Sequence, residues 1–345
     1  MIEFGSDFNY VNILEDRCFP ENSSTIDFRF YACGRQAIEA LIFQEKWQRI
    51  WIPAYFCYEV ISHIASTGIE VMFYDDNPLV DNDSSIKIIS NLPLLSGDVI
   101  LRVNFFGFRG FTSNYRIPVP VIEDHTHDLL SDWAKNSDAD WCIASIRKSL
   151  PIAAGGILWS PKNKILPKQV KVSEECKKMA LLRYEAMRNK TDYLEKGGDK
   201  KIFRDKFILS EKMIEQLAIS GMDRESRTIL DNMDINSWTE NRKENWEHAV
   251  LLLNSKFNVV RPKSFNPWNP FSIILLCNTA EERTSFRTYL INNDVYPAIL
   301  WSVPKNSIYR DAVDISERML SIHCDARYTK SDIELLCKIL NSYYD

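Results

Sequence analysis

Between residues 30 and 160 short apolar runs alternate with segments of helical periodicity, and few folds accommodate that alternation. "ACGRQAIEALIFQEKW" reads as a turn that opens a helix, with Ala37, Ile38 and Leu41 on one face. "RIWIPAYF" is strand-like until Pro53 stops it, and "CYEVISHIASTG" is a helix with Gly68 as its C′ residue. The runs "IEVMFYD", "DVILRVNFFG", "VPVIEDHTHD", "DADWCIASI" and "GGILWSP" follow, each apolar and most bounded by polar or glycine-containing turns. Strands so continuously apolar predict an α/β sheet covered on both faces.

Beyond residue 170 the apolar positions of "SEECKKMALLRYEAMRNKTDYLEK" and "DKFILSEKMIEQLAI" recur every three or four residues, which predicts a packed helical layer. "NSWTENRKENWEHAVLLLNSKF" reads as a long helix leading to a second lobe. That lobe holds "FSIILLCN", the helix "AEERTSFRTYLINN", "VYPAILW", "MLSIHC" and a last helix opened by the capping box Thr329–Asp332.

Composition excludes several classes. With 345 residues the chain can bury a large core, and its net charge of −5 lacks the basic footprint of a nucleic-acid binder. The eight cysteines form no C-x-x-C pair and several lie in apolar runs, as free buried thiols of a reducing compartment would. His125 and His127 have no partners at zinc-ligand spacing, so no metal is expected. "MIEFGSDFNY" lacks a signal-peptide pattern and no apolar stretch reaches membrane length; the expectation is a cytoplasmic protein without membrane contact.

In α/β sheets ligands gather beyond the carboxyl ends of strands. Glu123, Asp124, His125 and His127 stand at one such end, and Ser145, Arg147 and Lys148 at the next. Gly34 stands where helix-start N–H groups can hold an anion. A lysine, a carboxylate and an anion-holding helix start are what a protein supplies to pyridoxal-phosphate chemistry. Each also has a plainer reading: Lys148 as a solvated charge, Glu123–Asp124 as a turn or helix cap, Gly34 as a simple turn.

The order "ACGRQAIEAL … WIPAYFCYEV … GIEVMFYD … DVILRVNFFG … VIEDHTHD … DWCIASIRKSLPIAAGGILWS" resembles the fold-type-I pyridoxal-phosphate enzymes, in particular the DegT/StrS-type sugar-nucleotide aminotransferases. "NRKENW", "VYPAILWSVP" and "LSIHCDARYTKSDIELL" resemble that family's small domain, so the likeness runs from about residue 30 to the end. It implies a three-layer, aspartate aminotransferase-like large domain over 1–235 and a smaller α+β C-terminal domain over 236–345. It also implies a homodimer that uses pyridoxal 5′-phosphate to move an amino group, with glutamate as donor, onto a nucleotide-linked keto sugar in surface polysaccharide or related biosynthesis. Lys148 matches the Schiff-base lysine, Asp124 the carboxylate at the pyridine nitrogen, and His127 the residue beside the phenolic oxygen. Ser145 and the amides of Gly34, Arg35 and Gln36 match the phosphate cradle. Phe56 is the first choice to cover the ring, ahead of Tyr55 and Tyr58, and Asn104 is a further polar group at a strand end.

Two departures stand out. Many family members carry the serine five residues before the lysine, whereas Ser145 is three before Lys148, as in other fold-type-I aminotransferases. The turn reads Gly-Arg-Gln, which removes a hydroxyl; Arg35 either compensates or faces solvent. For Arg147 a structural ion pair is expected rather than an influence on Lys148. S-x-x-K also opens penicillin-binding active sites, but Pro151 and Gly155–Gly156 follow too soon for that helix and no K-T-G is present. A catalytically inactive or regulatory relative is an alternative. So is another reaction type such as dehydration, although the dehydrating relatives replace the lysine, here Lys148, by histidine.

Overall fold

The computed structural model describes residues 2–5, 7–11, 27–111, 116–262 and 269–345; Cys18 lies outside them. In chain order the elements begin β1 (Phe4–Gly5), β2 (Phe28–Tyr31), α1 (Gly34–Glu45), β3 (Arg49–Pro53), α2 (Tyr58–Ser66), β4 (Glu70–Tyr74), α3 (Asn82–Ser90) and β5 (Asp98–Val103). Next are β6 (Val121–Asp124), α4 (Asp132–Asn136), β7 (Trp141–Ala144), β8 (Gly156–Trp159), α5 (Glu174–Lys196), α6 (Lys201–Gln216) and α7 (Arg224–Asn232). The remainder are α8 (Ile235–Leu252), β9 (Ile273–Leu276), α9 (Ala280–Asn292), β10 (Val295–Tyr296), α10 (Arg310–Arg318), β11 (Met319–Ile322) and α11 (Lys330–Asn341). None of the described helices is long and apolar enough to cross a membrane.

The chain divides into two compact units. One comprises Asp7–Lys46 and Asp138–Ile235. Its strands hydrogen-bond in the order β2-β8-β7, antiparallel throughout, with Tyr31 opposite Gly156 and Cys142 opposite Trp159. Helix α1 lies against these strands, and Ala37, Ile38 and Leu41 are all buried, as the periodicity requires. It ends where Lys46 enters the left-handed region and its N–H returns to the Ile42 carbonyl. Helix α5 starts under the Ser173 side chain, which accepts the Cys176 N–H, and Glu174 and Glu175 complement its N-terminal dipole. It packs along α6, with Tyr193 against Phe203 at 5.3 Å and Arg183 over the Phe207 ring at 5.4 Å.

Because β8 runs against both neighbours, the end of β2, the end of β7 and the start of β8 lie at one edge. Backbones approach closely there. The Gly155 N–H donates to the Ala32 carbonyl at 2.8 Å, and a Cβ on Gly156 would stand 2.3 Å from the Cys33 carbonyl oxygen. The glycine pair is therefore a packing requirement rather than a loose turn.

The other unit comprises Ile2–Ser6, Trp47–Ser137 and Asn236–Asp345. Here β6-β5-β3-β4 are parallel neighbours, joined in sequence through α2 and α3 between β3 and β5, so their carboxyl ends share one edge. Asp98 sets the register of β5 on β3: it takes Arg49 Nε and Nη2 at 2.7 Å each and Trp51 Nε1 at 3.0 Å. Trp51, Tyr74, Ile89 and Ile100 form a core under these strands. Strands β9 and β11 pair antiparallel, and α11 opens on the expected capping box, Thr329 with Asp332. In "VYPAILW" the strand covers only Val295–Tyr296, because Pro297 has no N–H to continue the ladder. Seven cysteines among the described residues are free and buried, as expected.

Gly156→Ala should lower stability by about 1–3 kcal/mol, since the added methyl group meets backbone that cannot rotate away. Urea denaturation of the two proteins measures this, and an unchanged midpoint would show that the approach relaxes at no cost.

Candidate active site

In the first unit the edge just described gathers Gly34, Ser145 and Lys148. Helix α1 begins there with Cys33 as N-cap, no side-chain cap and no acidic residue in its first turn, which leaves its positive end suited to an anion. Ser145 Oγ lies 3.4 Å from the Gly34 amide. A Cβ on Gly34 would sit 3.0 Å from that of Ser145, so only glycine lets the hydroxyl come this near without a shift. Of the three amides expected to hold phosphate, that of Gln36 donates to the Cys33 carbonyl at 3.2 Å. The side chains of this turn serve packing. Arg35 Nη2 donates to the Ile214 carbonyl at 2.5 Å, which holds this side chain against α6. Gln36 Nε2 donates to the Leu217 and Ala218 carbonyls at 3.2 and 3.0 Å.

Lys148 closes a 3₁₀ turn, Ile146–Lys148. Its N–H donates to the Ser145 carbonyl at 3.1 Å and its side chain is half-buried. Pro151 follows the turn and prevents its extension into a helix. Arg147 forms the expected structural ion pair, with its Nη1 and Nη2 at 3.2 and 2.5 Å from the Glu211 oxygens, and Arg183 joins the same carboxylate at 2.7 Å. Burial alone would raise the Glu211 carboxyl, but Arg147 and Arg183 together hold it down to about 2.

In the second unit the carboxyl ends of β3, β5 and β6 carry the other expected residues. Successive side chains of β6 point to opposite faces, so Glu123 and Asp124 part company. Asp124 is buried, and its Oδ1 accepts the Thr126 N–H at 2.8 Å, which orients the carboxylate at the strand end. His127 is buried among rings: Phe106, Phe271 and Trp301 lie 5.5, 4.4 and 5.3 Å from it, centroid to centroid. Phe56 is buried and meets Trp301 at 5.5 Å. Tyr55 sends its hydroxyl to the Leu300 carbonyl and its ring to Phe105 and Trp301. Tyr58 instead stacks on Phe73 at 6.1 Å. Asn104 orders the loop after β5: its Oδ1 accepts the Arg109 N–H at 3.2 Å and its carbonyl accepts that of Gly107 at 3.4 Å.

Two residues of this constellation carry no sequence signal of their own. Trp301 lies in the segment between β10 and α10 and touches His127, Tyr55 and Phe56. Asp128 takes the Asn269 N–H and Nδ2 at 3.1 Å each, and burial pushes its carboxyl up to about 6 against the charge of Arg242.

No family model matches the sequence, and no curated protein does. Solved structures do match. Spr1654 from Streptococcus pneumoniae in its apo form shares 12% identity at a TM-score of 0.62, over 91% of this chain and 85% of that one. NtdA from Bacillus subtilis with bound cofactor PMP gives 13% and 0.59, over 91% and 72%. A DegT DnrJ EryC1 StrS aminotransferase from Brucella abortus gives 12% and 0.57, over 92% and 86%. The chain therefore has the α/β fold of these proteins, as the sequence led one to expect.

On the face of β6 opposite Asp124, Glu123 receives Arg102 Nη1 at 2.9 Å and Ser137 Oγ at 2.6 Å, and its Oε2 lies 3.2 Å from His125 Nε2. Burial alone would raise this carboxyl, yet the hydrogen bond to His125 and the charge of Arg102 bring it down from 4.5 to about 2. A depressed folded-state value means that Glu123 contributes stability above its unfolded value and loses it as pH falls toward about 2. The contribution is of order 3 kcal/mol. Unfolding free energy measured in urea at a series of pH values should fall across that window, and Glu123→Gln should flatten the slope; an equally steep slope in the variant would place the effect elsewhere.

Proposed function

We propose that the chain is a pyridoxal-phosphate-dependent aminotransferase that transfers an amino group from an amino acid, glutamate, to a nucleotide-linked keto sugar. The observation that carries this reading is the half-buried Lys148 on a tight turn, at the same strand edge as Ser145 and the uncapped start of α1. Further support comes from the fold shared with proteins solved in PLP and PMP forms.

The residues suit the group. When bound, pyridoxal phosphate supplies an aldehyde for covalent attachment and a ring that takes up electrons from a breaking C–H bond. Ser145 Oγ and the positive end of α1 are donors for its phosphate, and Gly34 keeps that approach open. Lys148 would hold the group through its amine at the aldehyde, with loss of water, and once freed would be the residue that moves a proton at Nζ. Asp124, whose carboxylate is steadied by the Thr126 N–H, would be the residue that keeps a proton on the ring nitrogen. Phe106, Phe271 and Trp301, packed on His127, would keep water away from that imidazole. We further propose that residues 1–235 and 236–345 correspond to the large and small domains of the fold, and that the protein works as a homodimer in surface polysaccharide or related biosynthesis.

Purified protein supplied with pyridoxal phosphate should show a visible absorption band that borohydride removes, leaving the label on Lys148. Lys148→Ala should lack that band, and Asp124→Asn should keep the cofactor while losing at least about 100-fold in turnover. A protein that takes up no cofactor would instead indicate a non-catalytic member of the fold.

A further inference from the structure

The imidazole of His127 is fixed from several directions. Its Nδ1 accepts the Phe106 backbone N–H at 3.0 Å. A ring nitrogen that accepts a hydrogen bond carries no proton, so the proton of the neutral ring resides on Nε2. The ring plane is set as well: Trp301 lies parallel to within 16° at 5.3 Å, and Phe106 to within 18° at 5.5 Å. The Phe106 backbone is itself held, since its carbonyl accepts the Phe271 N–H at 2.9 Å. Phe106 has φ 57°, a left-handed conformation costly for a residue with a side chain. That conformation belongs to the turn after β5, which aims the Phe106 N–H at the imidazole. Gly107 follows with φ 73°, where a Cβ would stand 2.1 Å from the Asn269 carbonyl.

We infer that Phe106 and Trp301 are positioning residues that hold His127 as the neutral Nε2–H tautomer, a donor of fixed orientation. This rests on the reading above, in which His127 stands beside the phenolic oxygen of the cofactor. A neutral donor supports charge on that oxygen without forming an ion pair with it. In this inference Trp301 bears on cofactor binding through the imidazole rather than through its contacts with Tyr55 and Phe56. Its removal therefore matters only while His127 is present.

Nitrogen NMR of the 345-residue chain without cofactor tests the inference directly, with the His127 signals assigned by comparison with His127→Gln. At neutral pH the wild type should show an unprotonated Nδ1 and a protonated Nε2. Trp301→Ala should give mixed tautomers and Trp301→Phe should restore the single one. Cofactor dissociation, followed by absorbance, should weaken about 10-fold in Trp301→Ala, stay near wild type in Trp301→Phe, and show no added loss when Trp301→Ala is combined with His127→Ala. A proton on Nδ1 in the wild type, an unchanged tautomer in Trp301→Ala, or an additive double variant would overturn the proposal. Wild-type protein with the expected tautomer that binds no pyridoxal phosphate would instead remove the functional reading and leave the tautomer assignment standing.

Discussion

The approach of β8 to the start of α1 is the contact on which the first unit's site depends. Gly155 and Gly156 bring one backbone against Ala32 and Cys33, and no side chain fits between them. That approach fixes Tyr31 opposite Gly156 and carries the first turn of α1 to the end of β7. Ser145 and Gly34 meet as a consequence, and the turn that ends in Lys148 is confined between Ser145 and Pro151. Side chains then secure what the backbone has placed: Arg35 ties α1 to the last turn of α6, and Glu211 binds Arg147 and Arg183.

In the second unit buried charge takes the corresponding part. Arg109 lies over Phe105 and donates to both Asp76 oxygens and to the Asn77, Val80 and Val103 carbonyls. Arg102 joins Glu123 to Asn82 beneath the ring of Trp133. Such pairs add little stability over apolar packing, but losing one partner strands the other in a dry interior. They therefore set which loop conformation is allowed. The turn that follows β5 inherits its geometry from them and from Asn104, and it delivers the Phe106 N–H to His127.

Much of this was legible in the sequence because the signals were local. The periodicity of Ala37, Ile38 and Leu41, the stop at Pro53, the C′ glycine at Gly68 with φ 91° and the Thr329 box each depend on a few neighbouring residues. The short helices α3, α7 and α10 are polar enough that tertiary packing, more than their own pattern, reveals them. Arg35 was undecidable from sequence because its partner, the Ile214 carbonyl, is distant in the chain and lacks any side-chain signature. Trp301 was hidden for a similar reason. Trp301 is one apolar residue among several in "VYPAILW", and only folding brings it to His127.

The buried thiols have a consequence of a different kind. Burial pushes Cys176 and Cys277 up to about 11 and Cys337 to about 12, so in the folded chain they are both shielded and protonated. Their alkylation at neutral pH must await opening of the surrounding structure. Cys176 is on α5, Cys277 follows β9 and Cys337 is on α11, so the chain carries an internal set of clocks. The order in which they react would record the order in which its parts come undone.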